Sequence, residues 1–245
     1  MNTNLKCSFT INFYKDFTMS TPANQPTVQV SKVAIIELHD ESLVTLNWPP
    51  KIESSKSRER SDVWRWIGEN HRNNALLWDQ EDLARRTTVS DSEITGNKRK
   101  IDSYNQARND AIERTDEFLL IALGLVSNDS AQTTSPVTQA ASGARLNSET
   151  AGSMVDRMSI VALKIKAMRW QLTRSDVDAQ FLSASAAKLE RLIEQRNDLG
   201  DCLDQLLADT KAGKAYFKVY RQFKMYNDAS MNPALIAEKS ATAKS

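Results

Sequence analysis

Glycine and proline are scarce: seven and six in 245 residues, well under the roughly 12 % combined usage of ordinary chains. Sandwiches and barrels need a turn every few residues, so that shortage disfavours a many-stranded fold. Cysteine and histidine number two each, Cys7 and Cys202, His39 and His71, too few for a Cys/His zinc site or a disulfide scaffold. Neither histidine sits in a nucleophile signature, and the missing glycines remove phosphate-loop and dinucleotide fingerprints. No charge of one sign prevails: 32 basic and 31 acidic side chains give +1, so no electrostatic case exists for nucleic acid. The longest apolar run, Phe118 to Val126, is too short for a bilayer span of about 20 residues. Residues 1–31 hold no apolar signal core, and Met19 is an alternative start beside Met1. A cytoplasmic location is therefore expected.

What is present reads as helix. The 40 % apolar and 26 % charged residues are globular values, and the length suits one sizeable core. Periodic segments run over Lys32–Trp48, Arg58–Arg86, Ser90–Val126, Thr150–Thr173 and Asp178–Asp209, with a short basic-aromatic stretch from Lys214 to Asn227. The expected fold class is all-α, a single bundle of five or six helices. It occupies 32–236, with 127–148 as a polar internal linker, 1–31 as a disordered lead and 237–245 as a disordered tail. Ser90, followed by Asp91 and Glu93, opens a helix with acids in its first turn, and a later helix opens at Thr150 or at Ser153, which with Asp156 resembles a capping box.

Polar side chains fall on faces that should be buried. On Arg58–Arg86, Asn70, Asn74, Glu81 and Arg85 share one face. Arg196 sits within the Leu189, Leu192, Ile193, Leu203, Leu207 stripe, where an unpaired guanidinium would cost several kcal/mol. Asp102, Asn105, Gln106, Asn109, Glu113 and Asp116 form a second polar stripe on their helix, while Arg99, Lys100, Ser103, Asp110, Arg114 and Glu117 look solvated. Thr150–Thr173 is apolar almost all round, the mark of a central helix, and its Arg157 and Lys164 would complement the acidic stripe. Trp64, Trp66, Trp78 and Trp170 are expected in the core. Taken one at a time these residues are better explained as solvated or structural pairs. Together they point to a polar, charge-balanced interior region.

Four ordered stretches then carry a likeness: Leu77–Arg85 (LWDQEDLAR), Lys98–Asp110 (KRKIDSYNQARND), Asn147–Ile160 (NSETAGSMVDRMSI) and Tyr220–Asp228 (YRQFKMYND). They resemble the bacterial family named domain of unknown function 4254, over roughly Val33 to Pro233. Ala151 and Ala229 depart from it where proline is expected. The resemblance implies no reaction; it implies a setting beside glycosyltransferases of lipopolysaccharide and other surface glycans. Glu81, Arg85, Asp102, Asn109, Arg157, Lys164, Arg196 and Lys224 lie at motif positions that largely match the inward polar set.

Three readings follow. In the first, a phosphorylated sugar or nucleotide sugar binds inside the bundle: Arg85, Arg157, Lys164, Arg196 and Lys224 hold its anionic groups, and Asn74, Asn105 and Asn109 its hydroxyls. Glu81, Asp102 or Glu113 would be the base or a metal ligand. The second is a non-catalytic helical partner of a glycosyltransferase or assembly complex. The third is a Mg²⁺-dependent nucleotide pyrophosphohydrolase, resting on Glu81-Asp82 and Glu113-x-x-Asp116. No cofactor is required by the first two, Mg²⁺ stays open for the third, and no dedicated metal site is expected.

Overall fold

The computed structural model describes residues 30–49, 63–223, 225 and 228–242. Among these the regular structure is almost all helix: α1 (Lys32–Val44), α2 (Val63–Leu83), α3 (Asp91–Ala122), α4 (Asn128–Ala131), α5 (Ala151–Gln171), α6 (Ala179–Lys211) and α7 (Pro233–Thr242). Two-residue strands β1 (Arg145–Leu146) and β2 (Ala215–Tyr216) pair in parallel. The all-α expectation is correct. Residues 1–29 and Lys224, to which a disordered lead and a ligand contact were assigned, lie outside the described residues.

Local chemistry sets the helix ends. Ser90 and Glu93 form a reciprocal capping box at the start of α3, satisfying donors that the first turn would otherwise leave orphaned. Asp178 caps α6 by accepting from the Phe181 amide. Beyond α6, Gly213 takes φ of +70°, a left-handed turn open to glycine at little cost, and the chain reverses into β2. Of the two starts open for α5, Thr150 is the cap, accepting from the Ser153 amide, and Asp156 turns inward instead of closing a capping box with Ser153.

Helix α5 is central, packing against α1, α2, α3 and α6, while α2 and α3 lie along one another as the most extensive pair. Val155, Met158 and Ile165 of α5 meet Ile35, Ile67, Leu120 and Leu203 in one buried apolar cluster. Leu189, Leu192, Ile193 and Leu207 pack against it from α6, so the stripe read from the sequence is the inner face of that helix. Residues 127–148 form a mostly exposed connection that contains α4 and then enters β1. Beyond 236 the chain continues in α7, so helix takes the place of the expected tail as far as Thr242. No residue of α7 is buried.

Candidate functional site

A polar locus does exist at the heart of the bundle, built from α1, α2, α3 and α5. Asn70 and Asn74, one turn apart on α2, both donate to Asp156 Oδ1, at 2.8 and 3.0 Å. Arg108 of α3 closes on the same carboxylate from the other side, Nε to Oδ1 at 2.7 Å and Nη2 to Oδ2 at 2.5 Å. Asn74 also donates to Ser159 Oγ at 3.0 Å. Asp156 and Ser159 are three apart on α5, so they share a face and can serve one network. A buried carboxylate with a bidentate guanidinium and two amide donors has its lone pairs used, the condition for tolerating such a charge inside.

His71 extends the network. Its Nδ1 lies 2.7 Å from Ser159 Oγ and its Nε2 lies 3.2 Å from the His39 carbonyl. A carbonyl only accepts, so Nε2 carries the proton and Nδ1 accepts from the serine hydroxyl. The His39 ring packs 4.2 Å from that of His71, and the Trp48 ring lies 4.8 Å away on it. Burial drives the His71 pKa down to about 4; the His39 carbonyl and Asp40 oppose the shift and Lys166 adds to it. His39 is also lowered well below its ordinary value, by burial first and then by the charges of His71 and Arg196. Both rings are neutral at pH 7.

Above this floor a cleft of about 270 Å³ opens between α2, α3 and α5. Asn74, Trp78, Glu81, Arg85 and Arg108 reach it, and Leu77, Ile160 and Leu163 form its apolar side. Asn74 and Arg108 therefore join the surface cleft to the buried network. Of the expected site residues, this cleft gathers Asn74, Glu81 and Arg85. Glu81 and Arg85 are paired across its rim at 2.8 Å.

The wider convergence expected of the charged candidates does not occur, because Asp102, Arg157 and Arg196 find nearer partners. Asp102 is exposed and pairs with Lys98 at 2.6 Å. Arg157 pairs with Glu149 at 2.6 Å and lines a separate groove between α5 and α6. Lys164 is exposed and Asn109 half-buried. Asn105 meets Arg108 only at 3.5 Å. Arg196 is buried as predicted but is held by Asp40 of α1, at 2.6 and 3.2 Å. Trp170, expected in the core, is 61 % exposed, and Trp64, Trp66 and Trp78 are half-buried.

Glu113 belongs to a second polar cluster. Arg221 reaches back from the C-terminal segment to Glu113 and Glu117, and donates to the Ala131 carbonyl at 2.8 Å. Glu117, read from the sequence as solvated, is 2 % exposed because this guanidinium covers it. Beside it Asp116 accepts from the Gly152 amide at 2.6 Å. Burial raises its pKa to about 7, against the hydrogen bonds of Thr150 and Gly152 and with the charges of Glu113 and Glu117. Among the described residues no three His, Cys, Asp or Glu side chains come together to hold a metal ion.

Sequence reasoning missed Asp156, Ser159, His71 and Arg108 as a unit. The usable signal was Asp156 and Ser159, two polar residues spaced by three on an otherwise apolar helix, facing an Asn70–Asn74 pair spaced by four. The fold and locus define a class: an all-α bundle whose central helix carries a satisfied polar network under a surface cleft. Within that class, the chain belongs to the family described as Protein of unknown function (DUF4254), whose sequence model matches residues 64–219. No curated protein and no solved structure matches the chain.

Proposed function

We propose that the cleft over Asn74 and Arg108 binds a phosphorylated sugar or nucleotide sugar, and that the protein serves cell-surface glycan or lipopolysaccharide biosynthesis in the cytoplasm. One observation carries the reading: Asn74, Glu81 and Arg85, three of the residues singled out for such a ligand, line one cleft together with the Trp78 indole and the Arg108 guanidinium. An indole offers an apolar face to a sugar ring, and amide and carboxylate groups beside it bond hydroxyls. Arg85, 69 % exposed at its side chain, is free to turn from Glu81 to a phosphate at small cost, since exposed ion pairs are worth only about 0–1 kcal/mol. Arg108 is fixed by Asp156 and presents a preorganised edge. The network beneath holds the cleft's floor rigid.

The pyrophosphohydrolase reading has less behind it, because Glu113 is held by Arg221 in a cluster apart from the cleft that Glu81 lines. The docking reading has an observation of its own: Tyr220, Phe223 and Met225 leave large apolar surfaces exposed along the C-terminal segment, as a partner-binding element would.

Thermal unfolding with a panel of hexose phosphates and nucleotide sugars tests the main reading. A bound member at about 100 times its Kd should stabilise the fold by roughly 2.7 kcal/mol. Arg85→Ala should weaken that ligand about tenfold without changing the melting temperature of the free protein. A flat panel at millimolar concentration overturns the reading.

A further inference from the structure

We infer that the cleft continues past Trp78 into a second subsite for an uncharged sugar ring, so that the ligand is an oligosaccharide with its anionic group at the Arg85–Arg108 end. This rests on the reading that the first cleft holds a sugar. A hollow of about 320 Å³ adjoins that cleft and shares Trp78, Asp82 and Leu163 with it. Each hollow alone lies near the floor of the ~300–1,000 Å³ range of small-ligand sites, and joined across Trp78 they fall inside it.

The lining of the second hollow suits a pyranose. Three indoles reach it from three parts of the chain: Trp48 beyond α1, Trp78 of α2 and Trp170 at the end of α5. An indole 61 % exposed at Trp170 is a large apolar surface left to water, the kind of exposure that marks a contact site. It is also braced, because the Arg174 guanidinium lies 6.0 Å from the Trp170 ring and 5.4 Å from that of Phe181. Trp48 is braced by the His71 ring behind it.

Polar groups stand beside the indoles. Asp79 and Asp82, three apart on α2, and Lys166 of α5 line the same hollow. Burial pushes the Asp79 carboxyl up, Lys166 draws it back, and the charge of Asp82 adds to the rise. Carboxyls at hydroxyl-bonding positions beside stacked rings recognise sugars, whose C–H faces and O–H edges are both matched. Asp82 lines both hollows and Glu81 the first, so the ends differ in their cations and indoles: the first carries Arg85 and Arg108, the second Lys166, Asp79 and the further indoles of Trp48 and Trp170. A neutral ring therefore goes to the indoles and the anionic group to the guanidinium groups.

The full chain is applied to a printed array of neutral di- to hexasaccharides of glucose, galactose, mannose, rhamnose and N-acetylhexosamines. Tryptophan fluorescence titration then follows any that bind. At least one should bind saturably, and Trp170→Ala should weaken it about tenfold, the size of one lost aromatic stacking contact, with an unchanged melting temperature. Arg85→Ala should leave neutral oligosaccharide affinity unaltered while phosphosugar affinity falls, so the two subsites fail separately. An array without neutral binders, binding indifferent to Trp170→Ala, or displacement of the oligosaccharide by free nucleosides overturns the second subsite.

Discussion

Lowering the pH from 7.5 to 4.5 should destabilise this protein through its buried histidines, well before carboxylate titration dominates. His71 is fully buried and its pKa falls from an ordinary 6.5 to about 4 in the fold. The depressed value means that between these limits the unfolded chain binds a proton that the folded chain refuses. Stability is then complete above pH 6.5 and is lost as pH falls towards 4. The gap corresponds to about 3 kcal/mol for His71 alone. His39, shifted in the same direction, adds to it. Urea unfolding followed by circular dichroism at pH 7.5, 6.5, 5.5 and 4.5 measures the slope. Asp116 titrates with opposite sign over part of this window, so the decisive quantity is a difference between wild type and His71→Gln. The glutamine side chain of that variant can still donate an amide hydrogen to the His39 carbonyl but carries no titrating nitrogen. The variant should be less stable at pH 7.5, and its deficit should shrink by about 1.4 kcal/mol per pH unit on acidification. Parallel pH profiles for the two proteins would refute the reasoning.

Further outcomes follow from the same structure. The carboxyl of Asp116, raised to about 7, stabilises the fold in its protonated form, and that contribution is lost as pH rises through 7; Asp116→Asn should therefore unfold at higher urea than wild type at pH 8.5 and close to it at pH 5. A Cβ at Gly152 would lie 2.6 Å from the Ile112 carbonyl oxygen and 3.0 Å from Asp116 Oδ1, so Gly152→Ala should cost about 1–3 kcal/mol, read from the urea midpoint. Arg196→Met replaces a buried guanidinium whose partner, Asp40, is 35 % exposed at its side chain and can turn to water. Its stability should change by less than about 1 kcal/mol, and loss of the folded state would show that the pair holds α1 in place.

The sequence disclosed more of the architecture than of the locus. An apolar circumference identified Thr150–Thr173 as the central helix, and the leucine stripe of α6 faces inward with Arg196 buried in it, as periodicity alone required. On α5 the charged pair Arg157 and Lys164 drew the functional reading, yet the neighbouring Asp156 and Ser159 enter the core. Positions one apart differ by about 100° in heading, and an apolar surround on every side leaves periodicity nothing with which to choose between them. Asp102 and Glu81 were legible in a different sense, since each has a basic residue four positions away, Lys98 and Arg85, and such neighbours pair on the helix surface before they reach across. Glu117 has a basic partner on its own helix, Arg114 three positions back, which reads as a surface pair. Its cover is completed by Arg221, far along the chain, and a contact of that separation leaves no mark on local spacing.

That long-range clasp bears on how small a functional unit the chain can be reduced to. The match to the family's sequence model stops at residue 219, short of the Tyr220–Asp228 stretch and two positions before the guanidinium that covers Glu117 and ties the C-terminal segment to Ala131. A protein trimmed to that boundary would keep every principal helix yet leave an interior acid with Arg114 as its one remaining basic partner of the two described and unfasten the 127–148 connection. The autonomous module should therefore reach at least through Arg221.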